Sequence, residues 1–202
     1  MYRLRDITIA AVPSYRKKTR RFFESHRQFF IRSCEFENSK VYVDGTKSVR
    51  RAELFANYSD LPFKIIHLVR DGRGFCLSFL QNNQLPRRKL AEAAKSWLEY
   101  IELIDTLSFR HPSLPLMTLR YEDLCENPEQ TLSAVCEFLE IPFDNTMMKG
   151  TNKPYHVLGH GMRKTFDGKI RQNLSWQRKF TSDEIDKITD LMKRGLQRFG
   201  YV

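Results

Sequence analysis

Glycine is scarce and unevenly placed: there are nine in 202 residues and none ahead of Gly45. No stretch reads GxxxxGK[ST], which argues against a Walker-type nucleotide kinase. Cysteine is also sparse. Cys34, Cys76, Cys125 and Cys136 show no CxxC spacing and no companion histidine cluster, so neither a zinc site nor a disulfide framework is indicated. Cys76 and Cys136 lie in apolar stretches and read as core thiols. The sequence has no apolar run long enough to span a bilayer, no signal-peptide pattern, no repeat and no low-complexity segment. Acids are outnumbered, with 24 Asp and Glu against 34 Lys and Arg, a net charge of +10. The excess is concentrated at the front: residues 1–33 carry nine basic residues and two acids, and the remainder carries 25 and 22.

The leading forty residues form a basic segment, and residues 41–202 read as one domain. From Tyr15 to Cys34 the phenylalanine pairs at 22–23 and 29–30 recur after about two helical turns, which predicts an amphipathic basic helix. Such a helix is either a solvated face over a core stripe or a surface for nucleic acid, heparin-like chains or acidic lipid. Alternating strands and helices follow, the pattern of a parallel α/β sheet. KVYV (40–43) reads as a strand and RRAELFANY as a helix. KIIHLV (64–69) reads as a strand buried on both faces. GRGFCLSFLQNN is a helix opening on glycine, and 89–109 is a long helix. PLMTLRYEDL (115–124) reads as a third strand, and 127–141 as a helix with Asn127 as N-cap and Pro128 at its first position. Residues 142–180 are loop-rich, and a last helix starts at Ser182 with Asp183 and Glu184 in its first turn and ends at Gly200.

The junction HLVRDGRGFCLSF (67–79) carries the chemistry. Ligands of open parallel sheets gather at strand C-termini, where helices point their N-termini. Free amides near Gly72–Gly74, the helix dipole and the Arg70 guanidinium together favour an anion there, with phosphate the natural choice. Ser78 lies eight residues later, two turns into the helix, where its hydroxyl can join Arg70. Asp71 reads as a cap or as a partner of Arg73. Without a phosphate, Arg70 would pair with Glu122 or Asp123.

IIHLVRDGRGFCLS resembles the 3′-phosphate-binding segment of sulfotransferases that use 3′-phosphoadenosine 5′-phosphosulfate (PAPS). VYVDGTKSVRRAELF, LRYEDLCENPEQTLSAVCEFLEIPFD and HVLGHGMRKTFDGKIRQNLSWQRKF are similar, in the same order, to further elements of carbohydrate-type and bacterial members. The likeness covers residues 41–202. It implies an α/β fold with a three-layer parallel sheet of the P-loop nucleoside-triphosphate-hydrolase-like type. Against that family the chain reads as N-terminally incomplete, because no Gly-x-x-Arg-Ser-Gly-Thr-Thr loop for the 5′-phosphosulfate is present. A truncated product or a decayed or regulatory relative would both look like this.

Carried onto this sequence, the resemblance implies that Arg70 and Ser78 hold the 3′-phosphate, with Arg163 as a second cation and Tyr121 beside the adenine. It implies that Lys47 stabilises charge on the bridging oxygen or the transferred sulfuryl group. From the residues alone, Lys47 could equally be an ion-pair partner of Asp44. Donor and product are then PAPS and 3′-phosphoadenosine 5′-phosphate (PAP), and the acceptor is a small molecule or carbohydrate bearing a hydroxyl or amine. The alternatives are a non-catalytic nucleotide or partner binder and a basic anion-surface binder. No metal and no nucleic-acid partner are expected: His156 and His160 are four apart, but glycines 159 and 161 argue against a helix and no third ligand is evident. His67 reads as a core residue, and Trp176 and Phe180 as packing residues. The chain as given would sit in the cytosol, or in the Golgi lumen if an anchor precedes Met1.

Overall fold

The computed structural model describes residues 7–9, 11–148 and 170–202. Its elements are α1 (Pro13–Phe36), α2 (Val49–Tyr58), β1 (Ile65–Val69), α3 (Gly72–Asn82), α4 (Leu90–Arg110), β2 (Leu116–Arg120), α5 (Tyr121–Glu126), α6 (Pro128–Leu139), α7 (Ser175–Lys179) and α8 (Ser182–Arg198). Short 3-10 turns at Arg87–Lys89 and Asn145–Met148 complete them. The class is α/β, with a small parallel sheet in the order β1–β2.

The chain folds as two compact units, Met1–Ile65 with Leu103–Pro115, and Ile66–Glu102 with Leu116–Val202. In the first, Pro13 opens α1 at a position where a missing N–H costs nothing. Phe23 is buried edge-on against Phe55 of α2, with ring centroids 5.0 Å apart. Ser48 caps α2 by accepting from the Arg51 N–H at 3.2 Å. The strand read at 40–43 does not form. A strand needs a ladder partner, and here Tyr42 instead stacks on Phe30 at 4.4 Å while Val43 is exposed.

In the second unit, Trp97 organises the core. It is buried with Cys76, Leu77, Leu80, Ile188, Met192 and Leu196. A Cβ on Gly195 would stand 2.6 Å from the Trp97 ring, and one on Gly72 would stand 2.8 Å from Met192 Sδ and 3.0 Å from the same indole. The two glycines therefore let α3 and α8 close on α4. Burial pushes the Cys76 thiol up to about 12, so it stays protonated and packs as an apolar side chain.

Two sequence expectations shift in this unit. β1 is buried on one side only, since Ile66 and Leu68 are exposed while Val69 is buried. A strand composition suited to double burial thus has a single covered face. The strand read over 115–124 ends at Arg120, and Tyr121 starts a helical turn instead. Helix α8 starts at Ser182 as expected, and Thr181 caps it, since Thr181 and Glu184 exchange both bonds of a capping box. Asn127 takes the N-cap position of α6 as expected, though its side chain makes no capping bond.

Helix α8 ends at Arg198, two residues before the expected Gly200, in a Schellman arrangement. Gly200 N–H donates to Gln197 O at 3.1 Å and Tyr201 N–H to Leu196 O at 2.9 Å, with Gly200 at φ +69°. The reversal needs that left-handed residue, and it carries Tyr201 back toward the end of β1.

Candidate anion-binding site at the end of strand β1

Strand β1 delivers Arg70 to the N-terminal side of α3, and several contacts hold the junction. The Trp97 indole N–H donates to Arg70 O at 3.1 Å. Asp71 caps α3, its Oδ1 accepting from the Arg73 N–H at 2.9 Å. The Arg73 guanidinium returns to the same carboxylate, Nε to Oδ1 at 3.0 Å and Nη2 to Oδ2 at 2.8 Å, and lies 4.6 Å over the Trp176 ring. Asp71 and Arg73 therefore neutralise each other and are structural.

Arg70 differs. Its Nη1 donates to Ser78 Oγ at 3.2 Å, its Nη2 donates to Asn173 O at 3.2 Å, and the guanidinium sits 5.3 Å over the Tyr121 ring. Every one of these partners is neutral. Among the described residues no carboxylate pairs with Arg70. Gly74 makes room for it: a Cβ there would lie 3.0 Å from both Arg70 Nε and Nη2. A cation bonded only to neutral groups can still take charge-assisted bonds from an anion.

The acids named as alternative partners are engaged elsewhere. Glu122 is buried and accepts from the Asp71 N–H at 3.1 Å and from the Tyr201 hydroxyl at 2.6 Å. Asp123 lies 3.5 Å from Arg120. Burial, then the Glu122 carboxylate, hold the Tyr201 hydroxyl well above its ordinary pKa. Arg73 Nη2 donates to Tyr201 O at 3.1 Å, so the chain after α8 is pinned to the junction at two atoms.

Arg70 and Ser78 thus meet, as the spacing predicts, and Tyr121 joins them, as the resemblance implies. Tyr121 presents its ring to Arg70 and donates its hydroxyl to Arg171 O at 2.8 Å. Burial is the main influence holding that phenol protonated, with Cys125 adding to it and Arg70 opposing. Lys47 belongs to the first unit, where it is exposed at φ +58°, a left-handed conformation that is uncommon for a side-chain-bearing residue. Asp44, its candidate ion-pair partner, is instead bound to Arg51 at 2.7 Å. Arg163, His156 and His160 lie outside the described residues. Among the described residues no group of three metal-ligating side chains comes together.

Sequence reasoning missed the backbone oxygens of Arg171 and Asn173 and the Glu122–Tyr201 pair. Main-chain carbonyls leave no residue-type signal. Trp176, in the late NLSW stretch, is buried, as a packing residue should be, but it also forms the platform under Arg73.

Residues 63–145 match the family described as Sulfotransferase family. The chain is also similar to a solved structure described as a sulfotransferase domain from the curacin biosynthetic pathway, at 20% identity and a TM-score of 0.47. That match covers 73% of this chain and 59% of the other, so the chain spans less than two thirds of the solved domain's length. The stretch from Phe63 to Asn145 that matches this family supplies Arg70, Ser78 and Tyr121.

Proposed function

We propose that this chain binds the 3′-phosphate of PAPS or PAP through Arg70 and Ser78 and serves sulfuryl transfer to a hydroxyl or amine. The observation that carries this reading is the Arg70 guanidinium, bonded only to neutral groups beside a helix N-terminus. A phosphate would add charge-assisted bonds that the neutral partners do not supply. Tyr121, half-buried under Arg70, offers an aromatic face for the adenine. Arg163 is assigned as a second cation on the 3′-phosphate.

The reaction would be an in-line displacement. The acceptor oxygen or nitrogen forms a bond to sulfur as the bond from sulfur to the bridging phosphate oxygen breaks, and PAP leaves. Lys47 is assigned to the negative charge that builds on that oxygen, and the acceptor is assigned as a small molecule or carbohydrate. The sequence carries no glycine-rich loop for the 5′-phosphosulfate, so turnover requires that cradle from outside these 202 residues. The same absence favours a second reading, a nucleotide binder without transfer.

The test is thermal unfolding with PAP. At a hundred times Kd a ligand adds about 2.7 kcal/mol, which raises Tm by roughly 5–10 °C for a chain of this size. No rise with wild type, or an equal rise with Arg70→Ala, overturns the reading. Transfer of radiolabelled sulfate by the purified chain would remove the second.

A further inference from the structure

Helix α1 has a face that the nucleotide reading does not use. Positions seven apart on an α-helix drift by only about 20°, so Tyr15, Phe22, Phe29 and Phe36 lie along one strip. All four are exposed, by 53%, 50%, 57% and 88% respectively. The strip is separate from the buried stripe, because Phe23 packs on Phe55 about 100° further round the helix. From Tyr15 to Phe36 it runs about 30 Å at the helical rise.

The charge beside the strip has one sign. Helix α1 carries seven basic residues and two acids. Both acids are paired within the helix, Glu24 with Arg27 at 3.3 Å and Glu35 with Arg32 at 3.0 Å. Lys17, Lys18, Arg20 and Arg21 have no ion-pair partner among the described residues. Lys18 and Arg21 fall beside the strip on the side away from Phe23, by the same helical geometry.

We infer that α1 lies in the plane of an anionic lipid surface. Its four aromatic rings sit at the headgroup boundary, and Lys18 and Arg21 rest on the acidic headgroups. A narrow aromatic line flanked on one side by long basic side chains suits an anionic lipid plane. A second copy of the helix would set these cations against their own kind. A nucleic acid or an acidic peptide would need the charge but not four solvent-facing rings in register.

The experiment is co-sedimentation of the full chain with phosphatidylserine–phosphatidylcholine vesicles and with phosphatidylcholine vesicles alone, at low and high salt. Binding only to the acidic vesicles, weakened by salt, is expected. Each basic residue near such a surface contributes about fivefold in partition, so Lys18→Gln/Arg21→Gln should weaken binding about 25-fold. Gln replacement of all four aromatics should reduce binding to the phosphatidylcholine level with the far-UV circular dichroism unchanged. Phe36 touches least of the protein, so Phe36→Trp keeps the proposal testable even if the quadruple variant misfolds. Its emission should move to shorter wavelength on acidic vesicles. No binding to acidic vesicles, no emission change, or binding indifferent to the aromatic replacements overturns the proposal. So does preferential binding of an oligonucleotide or polyglutamate, or a dimer in solution that the aromatic replacements dissolve.

Discussion

An arginine stands at the C-terminal end of each strand, and the two have opposite surroundings. Arg120, the last residue of β2, has Asp123 at 3.5 Å and lies 4.7 Å over the Tyr201 ring; burial would lower its pKa, but a hydrogen bond with the Tyr201 side chain and the nearby Asp123 and Glu122 together raise it. Its Nε is buried without a hydrogen-bond partner. Arg70, after β1, has a ring beneath it as well, but its hydrogen bonds go to a hydroxyl and a carbonyl. A cation beside its own carboxylate is internally balanced and helps hold the fold. A cation surrounded by neutral acceptors keeps its field for a ligand. Equivalent places in two strands thus serve different ends, and the neighbouring acids decide which.

The largest test removes the unbalanced charge. Arg70→Ala should weaken PAP binding by about a hundredfold or more, on the scale of a lost charge-assisted pair, read by isothermal titration. Its circular dichroism should match wild type. Ser78→Asp converts the Arg70 site into an Arg120-like one. A carboxylate beside the guanidinium should cut PAP affinity by tens of fold and make the loss salt-sensitive. Undiminished affinity would show that the missing carboxylate is not what distinguishes the two sites.

Tyr201→Phe leaves Glu122 Oε2 without its donor, which should cost about 1–3 kcal/mol in chemical denaturation. The Tyr201 pKa is raised in the folded state. Its contribution is therefore complete below the ordinary tyrosine pKa near 10 and is lost as pH climbs through the higher folded value. Wild type should lose more of its stability above pH ~10 than the variant does. Parallel pH profiles would exclude the coupling.

Gly74→Ala should be milder, near tenfold in PAP affinity, because the new methyl at 3.0 Å only displaces the tip of the Arg70 side chain. The smallest effect belongs to Asp123→Asn. That carboxylate is half-exposed, and such pairs contribute below about 1 kcal/mol. PAP affinity should not change, and a gain in affinity would mean that Arg120 had become a second anion site.

The eight-residue step from Arg70 to Ser78 was legible because helical periodicity alone brings the second turn of α3 under the strand end. Tyr121 was legible only through the family resemblance, since as an aromatic at a strand end it reads equally as core, and its place on a helical turn was not legible. The strand at 40–43 was over-read: alternating Val and Tyr have strand character, but pairing is settled by a partner elsewhere in the chain. Burial of β1 on both faces was over-read for the same reason. Composition reports what a strand tolerates, and the exposed Ile66 and Leu68 show that only one face is covered.

By itself, the order of residues determined the α/β class, the long helices with their periodic apolar faces, and the arginine, serine and glycines at the junction after β1, because these rest on local geometry repeated every few residues. Only the tertiary structure decided that Glu122 turns to Tyr201 and Asp71, that Asp123 goes to Arg120, and that carbonyls 171 and 173 come to Tyr121 and Arg70. Those pairings join residues up to 103 positions apart. At such separations chain connectivity no longer dictates proximity, and the packing of the core around Trp97 does.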